Sequence, residues 1–141
     1  MQAPREWIDR FKGRFDNGWD AMREEIFARQ KRMGVIPANT RLTTRNPDLP
    51  AWSSLTPDQR KVASRLMEIY AGFLAHTDAQ VGRVLDALRA TGEYDNTLVI
   101  YVVGDNGASA EGGIPGSNNY VGAYQLGLET DALRLAQIDT M

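Results

Sequence analysis

A carboxylate followed directly by a side-chain amide, Asp105 and Asn106, stands between Gly104 and Gly107. That pair offers two hard oxygen donors of the kind Ca²⁺ or Mg²⁺ prefers, and the flanking glycines let the backbone turn sharply enough to aim both the same way. Two donors do not make a site, because Ca²⁺ takes about six to eight oxygens and the others must come from elsewhere. Read by themselves, Asp-Asn-Gly residues after a strand are most often only a turn. Other chemistries leave early. The chain has no Cys, which removes disulfides, thiolate zinc sites and a cysteine nucleophile. Its single histidine, His76, excludes any chemistry that needs paired imidazoles.

The element that must position Asp105 and Asn106 is the run that precedes them. Residues 97–103 read Thr-Leu-Val-Ile-Tyr-Val-Val, a continuous β-branched and aromatic stretch without alternation. Such a run is expected to be a central strand of parallel type, buried on both faces, and open α/β sheets place ligands at the carboxyl ends of these strands. Before it, residues 57–92 carry the strongest helical signal in the chain. Thr56 is the expected N-cap, Pro57 the first helical residue, Gln59 completes a capping box, and Gly92 ends the helix. Its apolar face reads Val62, Leu66, Ile69, Tyr70, Phe73, Val81, Val84, Leu85 and Leu88. At about 50 Å, such a helix needs a larger body to lie against. Gly72 and Gly82 interrupt it, and either close packing or a bend accounts for them.

Residues 1–56 are expected to be helical and irregular. Pro4 opens a short helix that bears Trp7, Ile8 and Phe11, and Gly13 closes it; a second helical pattern runs from Trp19 to Met33 with Gly34 as its stop. Residues 35–54, rich in Pro, Asn and Thr, form a connection long enough to cover a neighbouring surface. After the candidate metal-binding turn at 104–116, residues 117–141 are expected to be irregular or weakly helical. One long helix and one central strand without partner strands describe part of an α/β domain.

Composition bounds the partners. The 141 residues are 43% hydrophobic and 24% charged, with a formal net charge of -2, so no basic field exists to hold nucleic acid. The longest apolar run, residues 98–103, is far shorter than the ~20 residues of a membrane span. Residues 1–6 lack a signal peptide's apolar centre, and neither the compartment nor the oligomeric state is specified.

Residues 100–113, "IYVVGDNGASAEGG", with the preceding "YAGFLAHTDAQVGRVLDALRATGEYDNTLV", resemble the type I sulfatases, in particular the bacterial arylsulfatase group of the alkaline phosphatase superfamily. The stretch "RLTTRNPDLPAWSSLTPDQRKVASRLMEIYAGF" resembles the segment before the long helix in that group, and the likeness covers residues 2–116. It implies an α/β fold, here a partial alkaline phosphatase-like one with most of the sheet absent. It also implies that Asp105 and Asn106 are ligands of an active-site divalent cation, usually Ca²⁺, with Mg²⁺ as the other candidate.

The implied reaction is hydrolysis of a sulfate ester, with a formylglycine nucleophile made from a Cys/Ser-x-Pro-x-Arg motif. No such motif occurs here, and the nearest neighbourhood, Ser53, Ser54, Leu55, Thr56 and Pro57, has the wrong spacing. By the resemblance, a first metal-binding Asp pair and a catalytic His precede Met1, and a sulfate-binding Lys follows the Gly-rich turn. This chain has no Lys after Lys61, and its segment from Gly116 to Tyr124 departs from the family pattern. The expectation is an internal piece of a sulfatase catalytic domain that supplies metal ligands, holds no catalytic residue of its own and is inactive alone. Two alternatives stand beside it: a phosphonate or phosphate ester hydrolase of the same superfamily, and a non-catalytic helical interaction module. His76 lies mid-helix and is expected to pack. Arg41 and Arg45 are expected to pair with surface carboxylates, Trp7, Trp19 and Trp52 to anchor packing, and Glu111 to reach no closer than the metal's outer partners.

Overall fold

The structure, a computed structural model, describes residues 3–102, 113–117 and 121–141, apart from the side chains of residues 123 and 124. Four α-helices organise it: α1 (Arg5–Ile8), α2 (Gly18–Arg32), α3 (Pro57–Ala90) and α4 (Asp131–Ala136). α1, with the turn that follows it, and α4 pack on α3, while α2 pairs with the turn at Trp52–Ser54.

The start of α3 follows directly from its sequence. The Gln59 N–H donates to Thr56 Oγ1 at 3.2 Å, and the Thr56 N–H donates to Gln59 Oε1 at 3.0 Å, so two orphan donors of the first turn are satisfied reciprocally. Its end is equally local. Gly92 takes φ +76°, its N–H donates to the Arg89 carbonyl, and the Glu93 N–H donates to the Leu88 carbonyl. These are the two bonds of a Schellman motif, which a residue with a Cβ closes less easily.

The N-terminal layer crosses the first half of α3. Pro4 precedes α1, which tightens into a single 3-10 turn at Asp9–Phe11. Ile8 is 4% exposed and lies on Gly72, where an added Cβ would meet the Ile8 backbone. Close packing therefore explains Gly72, whereas nothing lies within 4 Å of a Cβ at Gly82. Beside this contact the buried Glu68 carboxylate accepts from the Gly13 N–H at 2.7 Å and from Arg65 Nη1 at 2.9 Å. Ser64 Oγ, four residues back, donates to the Phe15 carbonyl. Small and polar residues at 64, 68 and 72 thus form the stripe of α3 that the N-terminal turn crosses.

Residues 35–54 lie along α2. Trp19 Nε1 donates to the Pro50 carbonyl at 3.1 Å, the Trp52 N–H to Asp20 Oδ2 at 2.8 Å, and Arg23 to both oxygens of Thr43. The Trp52 ring covers Gly18 and meets Trp19 edge to face at 4.9 Å. Arg60 ties the short turn Trp52–Ser54 to α3 through the Trp52 and Ser53 carbonyls. Polar bonds hold this connection where the sequence expects a covering segment.

The sequence-based strand is corrected in its burial. Residues 98–102 form no ladder with any described segment, and Leu98 and Val102 are 85% and 86% exposed. A strand's burial and hydrogen bonds come from neighbouring strands, and all the regular elements among the described residues are helical. The accessible surface reflects this. At 10615 Å² it exceeds the roughly 7300 Å² expected of a compact protein of this mass. The buried apolar core of the described residues is correspondingly small: Ile8, Val62, Ile69 and Ile138.

Candidate active-site segment

Asp105 and Asn106, with Glu111, lie outside the described residues, so the structure speaks to their flanks. On the incoming side, α3 ends in a 3-10 turn, Tyr94–Asn96. Arg89 stacks over the Tyr94 ring at 4.3 Å and binds Asp86 at 2.7 Å; the Asp86 hydrogen bond chiefly, with Tyr94 adding to it, raises the Arg89 pKa above its ordinary value. Thr97 Oγ1 donates to the Glu93 carbonyl at 2.7 Å and fixes the departure of the chain. On the outgoing side, Gly116 lies against Leu66, with a Cβ position 2.7 Å from Leu66 Cδ1. Leu66 and Ala90 are separated by about 36 Å of helix. The two flanks therefore meet α3 far apart, at its last turn and at Leu66 in its first third.

The C-terminal residues lock the outgoing flank. Thr130 caps α4 by accepting from the Leu133 N–H at 3.2 Å. Asp131 accepts from Gln59 Nε2 at 3.1 Å and from Arg134 Nη1 at 2.8 Å, joining the first turns of α3 and α4. Arg134, 7% exposed, lies with its Nε 3.8 Å from Glu129, whose other oxygen accepts from Ser117 Oγ at 2.7 Å. Arg65 Nη2 also reaches the Met141 carbonyl at 3.1 Å. Hydrogen bonds from Gln59 and Arg65 thus tie residues 131–141 to α3, where sequence periodicity indicated only a weakly helical end.

Other residues singled out by type fall elsewhere. His76 packs edge on against Trp7 at 5.4 Å, with Gln80 Nε2 3.1 Å from its Nε2. Arg10 covers the same Trp7 ring at 3.7 Å. Arg45 donates to the Leu49 carbonyl and lies 3.9 Å from Asp20, while Arg41 is exposed. Among the described residues no group of three His, Asp or Glu side chains could hold a metal ion.

Cavities among the described residues, two of which follow, escaped sequence reasoning. One of about 620 Å³ lies between the first turns of α3 and α4, lined by Trp19, Leu55, Val62, Ile114 and Leu135 with Asp58 and Asp131 at its polar side. Another, of about 390 Å³, is lined by Phe15, Trp19, Met22, Ile26, Trp52 and Met67. Neither contains a nucleophile paired with a base. The small residues Gly18, Ala63 and Ser64 that border the second were its one signal in the sequence.

The Sulfatase family model matches residues 1–135. This chain belongs to the sulfatase family. It is 39% identical over 109 residues to an arylsulfatase of Klebsiella aerogenes, a match that covers 77% of this chain and 23% of that protein. An uncharacterised sulfatase of Schizosaccharomyces pombe is 37% identical over 109 residues, covering 77% of this chain and 20% of the relative. The sulfatase chain therefore spans about a fifth of the length of these curated relatives. Membership places it in a family of sulfuric ester hydrolases with an alkaline phosphatase-like α/β fold. No helix among the described residues of this sulfatase chain is long and apolar enough to cross a membrane.

Proposed function

We propose that this chain is the part of a sulfuric ester hydrolase, arylsulfatase-like, that brings Asp105 and Asn106 to an active-site divalent cation. The observation that carries the reading is the match of the family over residues 1–135, which includes the Asp-Asn pair and the apolar run before it. The donor set fits Ca²⁺, with Mg²⁺ next: a carboxylate and an amide oxygen are hard ligands, and no thiolate or imidazole stands beside them. Bound there, the cation would supply Lewis-acid neutralisation of the sulfate oxygens. Asp105 would contribute negative charge and one oxygen, and Asn106 a neutral oxygen that adds coordination without adding charge. The local bond of Thr97 to Glu93 before the pair and the seat of Gly116 against Leu66 of α3 after it support a role in holding the pair in place.

The nucleophile, a formylglycine in this reading, and the remaining ligands belong to sequence outside these 141 residues. A small aryl sulfate is the substrate class, and the 141-residue chain by itself is expected not to turn over. The test is 4-nitrophenyl sulfate hydrolysis, run in parallel with an aryl phosphonate, on the 141-residue chain and on the gene product that includes the flanking coding sequence. Expected are sulfate hydrolysis by the longer product only, and a loss in its Asp105→Ala variant of at least the roughly 10–100-fold that follows loss of a residue supporting a metal ligand. Turnover by the 141-residue chain, abolished by Asp105→Ala, would overturn the inactivity of this chain alone. Preference for the phosphonate would move the reading to the phosphonate hydrolases.

A further inference from the structure

Glu129, Asp131 and Arg134 stand close together in sequence, on either side of Thr130 or just after it, where α4 begins. Arg134 is 7% exposed, and the Glu129 side chain is 4% exposed. Charged groups this deeply buried are held against partners. The guanidinium meets two carboxylates: Nη1 donates to Asp131 Oδ1 at 2.8 Å, and Nε stands 3.8 Å from Glu129 Oε1. Asp131 also accepts from Gln59 Nε2 at 3.1 Å, which ties the group to the first turn of α3. Glu129 faces a second way, because its Oε2 accepts from Ser117 Oγ at 2.7 Å. Ser117 directly follows Gly116, whose N–H donates to the Gly113 carbonyl at 3.2 Å and which lies against Leu66 of α3. One carboxylate therefore joins a buried cation beside α3 to the outgoing end of the turn at 104–116.

We propose that Arg134 is a positioning residue for the divalent cation: it holds the Glu129 carboxylate toward Ser117, fixes the outgoing end of the turn that carries Asp105 and Asn106, and so raises that pair's affinity for Ca²⁺. The inference rests on the reading of Asp105 and Asn106 as metal ligands. Its physical basis is the entropy of ordering. Thr97 is fixed before the pair by its bond to the Glu93 carbonyl. With Ser117 held after it, the segment between them is closed at both ends before a cation arrives. Released at Ser117, the segment keeps only its incoming tether, and the loop-closure entropy must be lost on cation binding instead. An exposed ion pair would be screened by water and salt and hold Ser117 weakly. This one is buried, and without the guanidinium a buried carboxylate is drawn out to water, away from Ser117.

Calorimetric titration of Ca²⁺ into the gene product that includes the flanking coding sequence tests it, beside amide hydrogen exchange at Gly116 in the 141-residue chain. Arg134→Met is expected to weaken Ca²⁺ binding about 10-fold, as for loss of a partner that orients a metal ligand. Ser117→Ala is expected to weaken it less, and Arg134→Lys to recover part of the loss. Gly116 is expected to exchange faster in Arg134→Met and in Ser117→Ala. Excess Ca²⁺ is expected to restore sulfate hydrolysis in both variants, whereas a general loss of fold lowers it at every Ca²⁺ concentration. Ser117→Ala keeps the buried ion pair, so it carries the test if Arg134→Met does not fold. Unchanged Gly116 exchange in Ser117→Ala overturns the anchor, and a loss of hydrolysis that excess Ca²⁺ leaves in place overturns the positioning role. Wild-type Ca²⁺ affinity in Ser117→Ala, beside a weakened Asp105→Ala, overturns this proposal alone. Wild-type affinity in Asp105→Ala overturns the metal-ligand reading and this proposal with it.

Discussion

Gly72 of α3 and Ile8 of α1 meet backbone to backbone: a Cβ added at Gly72 would lie 2.7 Å from the Ile8 Cα and 2.9 Å from its nitrogen. The opposing atoms belong to main chain, which cannot swing aside as a long side chain can. Gly72→Ala is therefore expected to push α1 off α3 and to cost about 1–3 kcal/mol, the range for overpacking a filled site. Gly82→Ala serves as the control on the same helix. With nothing within 4 Å of its Cβ, it is expected to stabilise by up to about 1 kcal/mol through helix propensity. Urea unfolding followed by circular dichroism measures both, and equal effects of the two substitutions would contradict the packing argument.

Glu68 is the carboxylate that holds the N-terminal turn. Glu68→Ala leaves the Gly13 N–H without its acceptor and Arg65 without its carboxylate, though still on the Met141 carbonyl, and is expected to cost about 2–3 kcal/mol, as for a hydrogen bond to a charged group. Glu68→Gln keeps an acceptor oxygen and is expected to lose less. Amide hydrogen exchange at Gly13 reports the site directly: faster exchange in Glu68→Ala than in Glu68→Gln is the expected order.

Thr56 begins α3 through a reciprocal pair of bonds with Gln59. Thr56→Ala removes the side-chain acceptor and is expected to lower stability by about 1 kcal/mol, while Thr56→Ser restores most of the loss. Thermal unfolding of the two variants checks this, and an unaffected Thr56→Ala would mean that tertiary contacts alone hold the first turn.

Divalent cation removal tests the proposed metal role independently of mutation. A chelator is expected to abolish sulfate ester hydrolysis by the gene product that includes the flanking coding sequence, and added Ca²⁺ or Mg²⁺ to restore it. The Asp105→Ala variant is expected to need a much higher cation concentration. Activity that is indifferent to the chelator would remove Asp105 and Asn106 from the site.

What was legible in the sequence was local. The capping box at Thr56 and Gln59, the stop at Gly92 and the short helix after Pro4 depend on residues a few positions apart, and each stands where its residues put it. Family membership was legible too, because it lies in residue order. The candidate metal pair was named from that order alone, and the described structure adds only the anchoring of its flanks.

Tertiary structure decided whatever depends on distant partners. Nothing near Gly72 in sequence says that Ile8 lies across it, and nothing near Gly82 says that its side is open. In sequence Glu68 is one more polar position of a long helix, and only the fold closes the Gly13 turn and Arg65 around it. The apolar run at residues 98–102 shows the same limit from the other side. Its composition specifies a strand, but burial requires neighbours, and among the described residues none lies beside it. Local sequence sets backbone preference and caps because those energies act within one or two turns, whereas packing is settled only when separate segments meet.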